Sequence, residues 1–163
     1  MTRVGVVSDT HGLLELTRRV MAVFAEAGVE RILHCGDIGT PAVVEALSAL
    51  PVDYVYGNCD GTSTRLAEAV KTYGGTLHGK SGEVEIDGRH VALYHGQDEE
   101  LLDALARSGQ WDLICTGHTH RSGFSELYGT RILNPGALQR RWEAPGAAIV
   151  DFPKIDVTFF RVG

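Results

Sequence analysis

Apolar and polar positions along this chain switch between two periods. Arg3 to Val7 is a short apolar run that predicts a buried strand. From Leu13 to Ala27 the period lengthens. Leu13, Leu16, Val20, Phe24 and Ala27 share one helical face, Arg18, Arg19 and Glu26 lie off it, and Gly28 supplies the stop. "RILH" (31–34) predicts a second strand, and "VDYVY" (52–56) a third. Between them, Thr40-Pro41 reads as a helix start, with a capping hydroxyl and a proline at the first helical position. Thr64 to Lys71 predicts a shorter helix.

The pattern then changes. In "VEIDGRHVALY" (84–94), Asp-Gly sits between two strand-forming runs and predicts a hairpin. Asp98 to Arg107 reads as a helix capped by Asp98 and stopped by Gly109. "WDLICT" (111–116) is another apolar strand. From Gly123 onward come the short strand-like runs "GFSELY", "TRILN", "AAIVDF" and "DVTFFRV". The order is βαβαβ, then hairpins mixed with one helix. It predicts an α/β fold with mixed sheets and outer helices.

Composition narrows this picture. A chain of 163 residues suits one domain with a real core, taken as residues 1–163. Hydrophobic residues at 44% and charged residues at 22% match a soluble globular protein. The net charge of −6 argues against general nucleic-acid binding, which needs a basic face. The odd count of three cysteines (Cys35, Cys59, Cys115), with no CxxC pair, points to a reducing, cytoplasmic setting. The N-terminus reads straight into a strand, with no targeting signal. No apolar run approaches the roughly 20 residues of a membrane span.

The chemistry gathers where strands end. Asp9 and His11 follow the first strand in "SDTHG", and Asp37 follows the second in "HCGDIG". Asn58 follows the third in "GNCD", His95 the fourth in "HG", and His118 and His120 the fifth in "TGHTH". In α/β sheets, ligands collect beyond the carboxyl ends of strands. Residues far apart in sequence can therefore meet in one place.

Imidazoles with carboxylate and amide oxygens suit borderline divalent ions. Seven groups exceed one tetrahedral zinc site, but two ions sharing a carboxylate would use them all. Two such ions about 3.5–4 Å apart can clamp a displacement at phosphorus. Two divalent ions less two aspartates and a hydroxide leave the site near +1, within an acidic chain. A neutral Asn58, rather than a third Asp, keeps it cationic.

These motifs, in this order, resemble the calcineurin-like metallophosphoesterases, and most of all their small bacterial and archaeal phosphodiesterase branch, which is related to the retromer scaffold subunit. "NPGA" (134–137) matches a further segment of that branch, and the resemblance runs from Arg3 to about Phe160. It implies a four-layer α-β-β-α sandwich of two mixed sheets flanked by helices. It implies Asp9, His11 and His120 on one metal, Asn58, His95 and His118 on the other, and Asp37 bridging. The implied ions are manganese first, with nickel, iron, cobalt or zinc as alternatives. The implied nucleophile is a metal-bound hydroxide, with no serine or cysteine nucleophile. A small phosphodiester is the expected substrate, and relatives suggest a homodimer or homotetramer. The alternatives are a non-catalytic interaction scaffold of the same fold and a phosphomonoesterase. A scaffold should have lost a metal-binding residue, and this chain keeps all seven.

Several residues carry plainer expectations. Many members of the wider superfamily place His after the Asn as a leaving-group acid, where this chain has Cys59. A thiol with its ordinary pKa near 8.5 replaces imidazolium poorly, so monoester hydrolysis should suffer. Asp60 reads as a turn former or supporting residue, His34 as packing, and His78 and His90 as surface. Cys35 and Cys115 read as buried small hydrophobes. Arg140, Arg141 and Trp142 read as an ordinary loop or oligomer contact rather than a phosphate or base site.

Overall fold

The computed structural model describes residues 1–163 and contains two mixed sheets. The first holds β1 (Thr2–Val7), β2 (Arg31–His34), β3 (Val52–Tyr54) and β4 (Thr76–Leu77) in parallel. Beyond β1 lie the antiparallel β10 (Gly146–Phe152) and β11 (Asp156–Arg161). The second sheet runs β5 (Ser81–Ile86), β6 (Arg89–Tyr94), β7 (Leu113–Cys115), β9 (Thr130–Asn134), β8 (Gly123–Leu127). Its central strands β6, β7 and β9 are parallel, and its two edges are antiparallel.

Alternation along the strands assigns the layers. Val4, Val6, Leu33 and Val150 from the first sheet pack with Val91, Leu93, Leu113 and Leu133 from the second, in a core between the sheets. The intervening residues Val7, Ile32 and Tyr54 face the other way. There they meet α1 (Leu14–Ala27), α2 (Pro41–Leu47) and α3 (Thr64–Tyr73) through Val20, Phe24, Val43, Leu47 and Leu66. Ala92 and Ile114 on the outer face of the second sheet meet Ala106 of α4 (Glu99–Arg107). The result is the expected α-β-β-α sandwich. Each fully buried Leu or Ile in these layers contributes roughly 1.5–3 kcal/mol relative to exposure.

Local signals mostly worked, and the misses are instructive. Asp87 and Gly88 form the two-residue hairpin turn, both at positive φ. Asp98 caps α4 by accepting from the Glu100 and Leu101 amides. Thr40 does sit at the N-cap of α2, but its side chain makes no capping hydrogen bond. Leu13 is 37% exposed and precedes α1, where Thr17 is buried instead and bonds the Leu13 carbonyl. α3 runs two residues past its expected end, to Tyr73, and is capped by Ser63. The third strand ends at Tyr54, two residues short of the expected end, and Val55 and Tyr56 stay buried in the cores before the turn that starts at Asn58. The two-residue β4 is too short for any periodic signal. No helix is long and apolar enough to cross a membrane.

Candidate metal centre

The carboxyl ends of β1, β2 and β3 and those of β6 and β7 converge at one rim of the sandwich. All seven expected residues meet there. Aspartate and histidine reach the site by unusual backbone. Of the eight non-glycine residues at positive φ, five are Asp9 (54°), His11 (44°), Asp37 (55°), His118 (70°) and His120 (60°). A left-handed L-residue costs about 1–2 kcal/mol, so the surrounding structure must hold these conformations in place. On a strand, residues two apart such as His118 and His120 would share a face. They lie instead in the loop after β7, and the left-handed turns send them to different partners. The ring of His120 meets His11 at 5.3 Å between centroids, and that of His118 meets His95 at 5.3 Å.

Each carboxylate has one tethered and one bare oxygen. Asp9 Oδ2 accepts from Ser8 Oγ at 2.7 Å and from the His118 amide at 3.1 Å. Asp9 Oδ1 makes no hydrogen bond and lies 3.1 Å from His120 Nε2 and 3.5 Å from His11 Nε2. Asp37 Oδ1 accepts from the Cys59 amide at 2.8 Å. Asp37 Oδ2 faces His95 Nε2 at 3.2 Å and His11 Nε2 at 3.5 Å, so one oxygen looks toward both halves of the site.

The histidine tautomers follow from their other partners. His95 Nδ1 lies 2.7 Å from the Cys35 carbonyl, which can only accept. The proton is therefore on Nδ1, and Nε2 turns a lone pair into the site with no hydrogen-bond partner. His11 Nε2 and His120 Nδ1 are also buried without hydrogen bonds. Buried polar atoms are rarely left unpaired, and here His11 Nε2 and His95 Nε2 both face bare carboxylate oxygens. Asn58 Oδ1 lies 3.1 Å from His118 Nδ1 at the exposed side.

The electrostatics are those of a pocket built to hold positive charge. Burial pushes the Asp37 carboxyl up, but the neighbouring His95, a hydrogen bond from the Cys59 amide and the nearby His11 outweigh it, and hold the group well below the ordinary range. Asp9 is likewise lowered, against its burial, by His11, His95, Ser8 and His120. The reciprocal effect raises His11, chiefly through the neighbouring Asp9 carboxylate. It also raises His95, where Asp37 and Asp9 overcome the burial penalty. Desolvation and the Asp37 charge push the Cys59 thiol up, away from thiolate. Its sulfur still lies within 4.8 Å of ligand atoms of His11 and Asp37, at the outer edge of the site.

Supporting residues carry much of the geometry. Asp60, expected to shape the turn, accepts from the amides of Gly57 (2.9 Å), Ile38 (3.1 Å) and Gly39 (3.2 Å), and so ties the Asn58 loop to the Asp37 loop. His34 is buried, as expected. It accepts from the Gly36 amide at Nδ1, which leaves the Nε2 proton for Thr10 Oγ1 at 3.0 Å. Asn134, first residue of "NPGA", was not singled out by function. Its amide donates to the Gly117 carbonyl at 2.9 Å and to Thr119 Oγ1 at 3.0 Å, pinning the loop that carries His118 and His120.

Close approach demands glycine at two places. A Cβ on Gly117 would stand 2.6 Å from Asp9 Oδ2, and one on Gly57 would stand 2.7 Å from Asp37 Cγ.

Two expectations outside the centre need correction. His78 is not a free surface residue: Nε2 meets Asp53 Oδ1 at 2.9 Å, while Arg31 holds the other oxygen. Arg140 and Arg141 do more than form a loop. They line the ≈ 380 Å³ cavity shared with Asp37, Asn58, His118 and His120.

Comparison with known proteins agrees with this geometry. The calcineurin-like phosphoesterase superfamily domain matches residues 2–154. A phosphodiesterase of Methanocaldococcus jannaschii is 31% identical over 137 residues, covering 82% of each chain. The solved structure of an archaeal phosphodiesterase superposes with a TM-score of 0.91 at 28% identity, over 99% of this chain and 100% of the other. Zinc-complexed Vps29 of Entamoeba histolytica, a retromer subunit, shares the fold alone: TM-score 0.67 at 20% identity, over 97% and 90% of the two chains. With two mixed sheets delivering histidines and aspartates to one rim, and with this match over nearly its whole length, the chain belongs to the calcineurin-like phosphoesterase superfamily.

Proposed function

We propose that this protein is a phosphodiesterase that works with two divalent metal ions. The observation that carries the reading is the set of buried donors without hydrogen bonds. Asp9 Oδ1, His11 Nε2 and His95 Nε2 have none, and both imidazole nitrogens face bare carboxylate oxygens of Asp9 and Asp37. Asp9, His11 and His120 would hold one ion, Asn58, His95 and His118 the other, with Asp37 shared between them. The mixed nitrogen and oxygen donors suit borderline divalent ions such as manganese, iron, nickel or zinc, and the family resemblance puts manganese first. When bound, such ions supply Lewis acidity and an activated water for attack at phosphorus.

The chain's own groups do the positioning. Cys35 and its carbonyl orient His95, Ser8 and the His118 amide orient Asp9, and the Cys59 amide orients Asp37. No side chain at the leaving-group position offers an efficient acid, because the Cys59 thiol is held protonated above its ordinary range. Esters whose leaving groups depart readily as anions are therefore favoured, which supports diesters over monoesters. The similarity to the Methanocaldococcus jannaschii phosphodiesterase points the same way.

The test is calorimetric titration of manganese into metal-free protein, paired with hydrolysis of bis(p-nitrophenyl) phosphate. Two ions per chain and metal-dependent cleavage are expected, with both reduced in Asp37→Asn. A folded protein that takes up no manganese, nickel, cobalt or zinc would instead favour the scaffold reading.

A further inference from the structure

The loop after β9 brings an unmatched cluster of positive charge to the mouth of the site. It is held firmly: the amides of Leu138 and Gln139 both donate to the Asp9 carbonyl, at 3.2 and 3.3 Å, and Leu138 is fully buried. At its far end Arg161 Nη1 donates to the Ala144 carbonyl at 2.8 Å. Between these anchors stand Arg140, Arg141 and Trp142. Gln139, Arg140 and Arg141 form one wall of the cavity whose other wall carries Asn58, His118 and His120.

Trp142 is 55% exposed, and the guanidinium groups of Arg121 and Arg141 each lie 4.9 Å from its ring centroid. Stacking on an indole pre-orders an arginine fork without consuming its hydrogen bonds.

No carboxylate answers these cations. The loop's one acid, Glu143, is held by Arg161 Nη2 at 2.8 Å and by the amide and hydroxyl of Ser122. Arg121, Arg140 and Arg141 form no ion pair, in a chain whose net charge is −6. Like charges gathered on one ring repel unless an anion joins them. A simple diester brings a single negative charge, and the metal site itself would meet it. A terminal phosphate adds about −1.5 to −2 more, with oxygens that suit forked guanidinium donors.

We propose that Arg121 and Arg141, ordered on Trp142, together with Arg140 at the cavity lining, form an anion subsite that selects phosphodiesters carrying a second phosphate beside the scissile one. This rests on the phosphodiesterase reading and names its substrate class.

The test compares two chromogenic substrates on the manganese-loaded protein: thymidine 5′-(p-nitrophenyl phosphate) and the same compound with a 3′-phosphate. Wild type should prefer the 3′-phosphorylated substrate by about tenfold or more in kcat/KM, mainly through KM, since a charge-assisted hydrogen bond is worth about that factor. Arg140→Ala with Arg141→Ala should bring the ratio toward one, and the double Lys variant should keep part of it. A wild-type ratio near one, or a ratio unmoved by the double Ala change, overturns the subsite. Should neither compound be cleaved, the phosphodiesterase reading fails, and calorimetry decides the subsite alone. Thymidine 3′,5′-bisphosphate should then bind about tenfold tighter than thymidine 5′-phosphate in wild type only. Equal affinities would overturn the proposal.

Discussion

The side-chain amide of Asn134 donates to the Gly117 carbonyl at 2.9 Å, joining the end of β9 to the turn that aims His118 and His120. Asn134 touches none of the seven site residues through its side chain, yet it determines where two of them point. Groups in this relation to metal ligands typically alter affinity by about 10–100-fold. Asn134→Ala should therefore weaken metal uptake by roughly that factor while leaving the fold intact. Calorimetric Kd and circular dichroism would check it, and an unchanged Kd would sink the assignment.

Gly117 offers a sharper perturbation. One methyl group there would press on Asp9 Oδ2 at 2.6 Å and on Ser8. Asp9 is buried and cannot yield without breaking its bonds to Ser8 and the His118 amide. Gly117→Ala should destabilise the metal-free protein by about 1–3 kcal/mol, as overpacking does. It should also reduce activity far more than Gly61→Ala, where a methyl meets open space although its φ of 59° adds strain. Urea denaturation and diester hydrolysis of both variants would separate crowding from backbone strain.

Cys59→His restores an imidazole beside the Asn58 loop, where a protonated side chain could assist a poor leaving group. General-acid help is worth about 10²–10⁴-fold when well placed. Monoesterase activity relative to diesterase should rise. A ratio that stays constant on p-nitrophenyl phosphate against bis(p-nitrophenyl) phosphate would show that this position does not control the choice of ester.

His34 sets a pH limit on stability. Burial lowers its pKa from the ordinary 6.5 to about 4. Between those values the unfolded chain binds a proton that the folded chain refuses. Its contribution to stability is therefore complete above about pH 6.5, falls as pH drops, and is gone below about 4. The loss amounts to at most about 3 kcal/mol. Urea unfolding of metal-free wild type and His34→Gln at several pH values between 7 and 4.5 should give a shallower acid slope for the variant. Parallel slopes would contradict the role given to burial.

Much of this was readable from residue order alone. Short apolar runs ending in Asp, Asn or His marked five strand ends, because a strand's carboxyl end is where a parallel sheet exposes side chains to a ligand. Val4, Val6 and Val7 read as one apolar run in the sequence, and only the packed sheets send Val4 and Val6 to one layer and Val7 to another. What remained hidden depends on partners distant in sequence. The Asp53–His78 contact spans 25 positions, and β4 exists only because β3 offers it an edge. The left-handed turns at His118 and His120 left no mark in hydropathy, so the separate directions of the two rings could not be read from their spacing. Arg140 and Arg141 looked like loop residues until Leu138 and Gln139 proved to be anchored on Asp9.

The left-handed backbone at Asp9, His11, Asp37, His118 and His120 sets this protein's stability and its chemistry against each other. Glycine would adopt those conformations freely, and asparagine with little strain. At the more exposed His11 and His118, substitutions that relax the chain are thus the ones that remove imidazoles. Directed evolution screened on heat resistance alone would drift toward a sturdier, inert sandwich, and only a screen that also rewards turnover would keep the histidines in place.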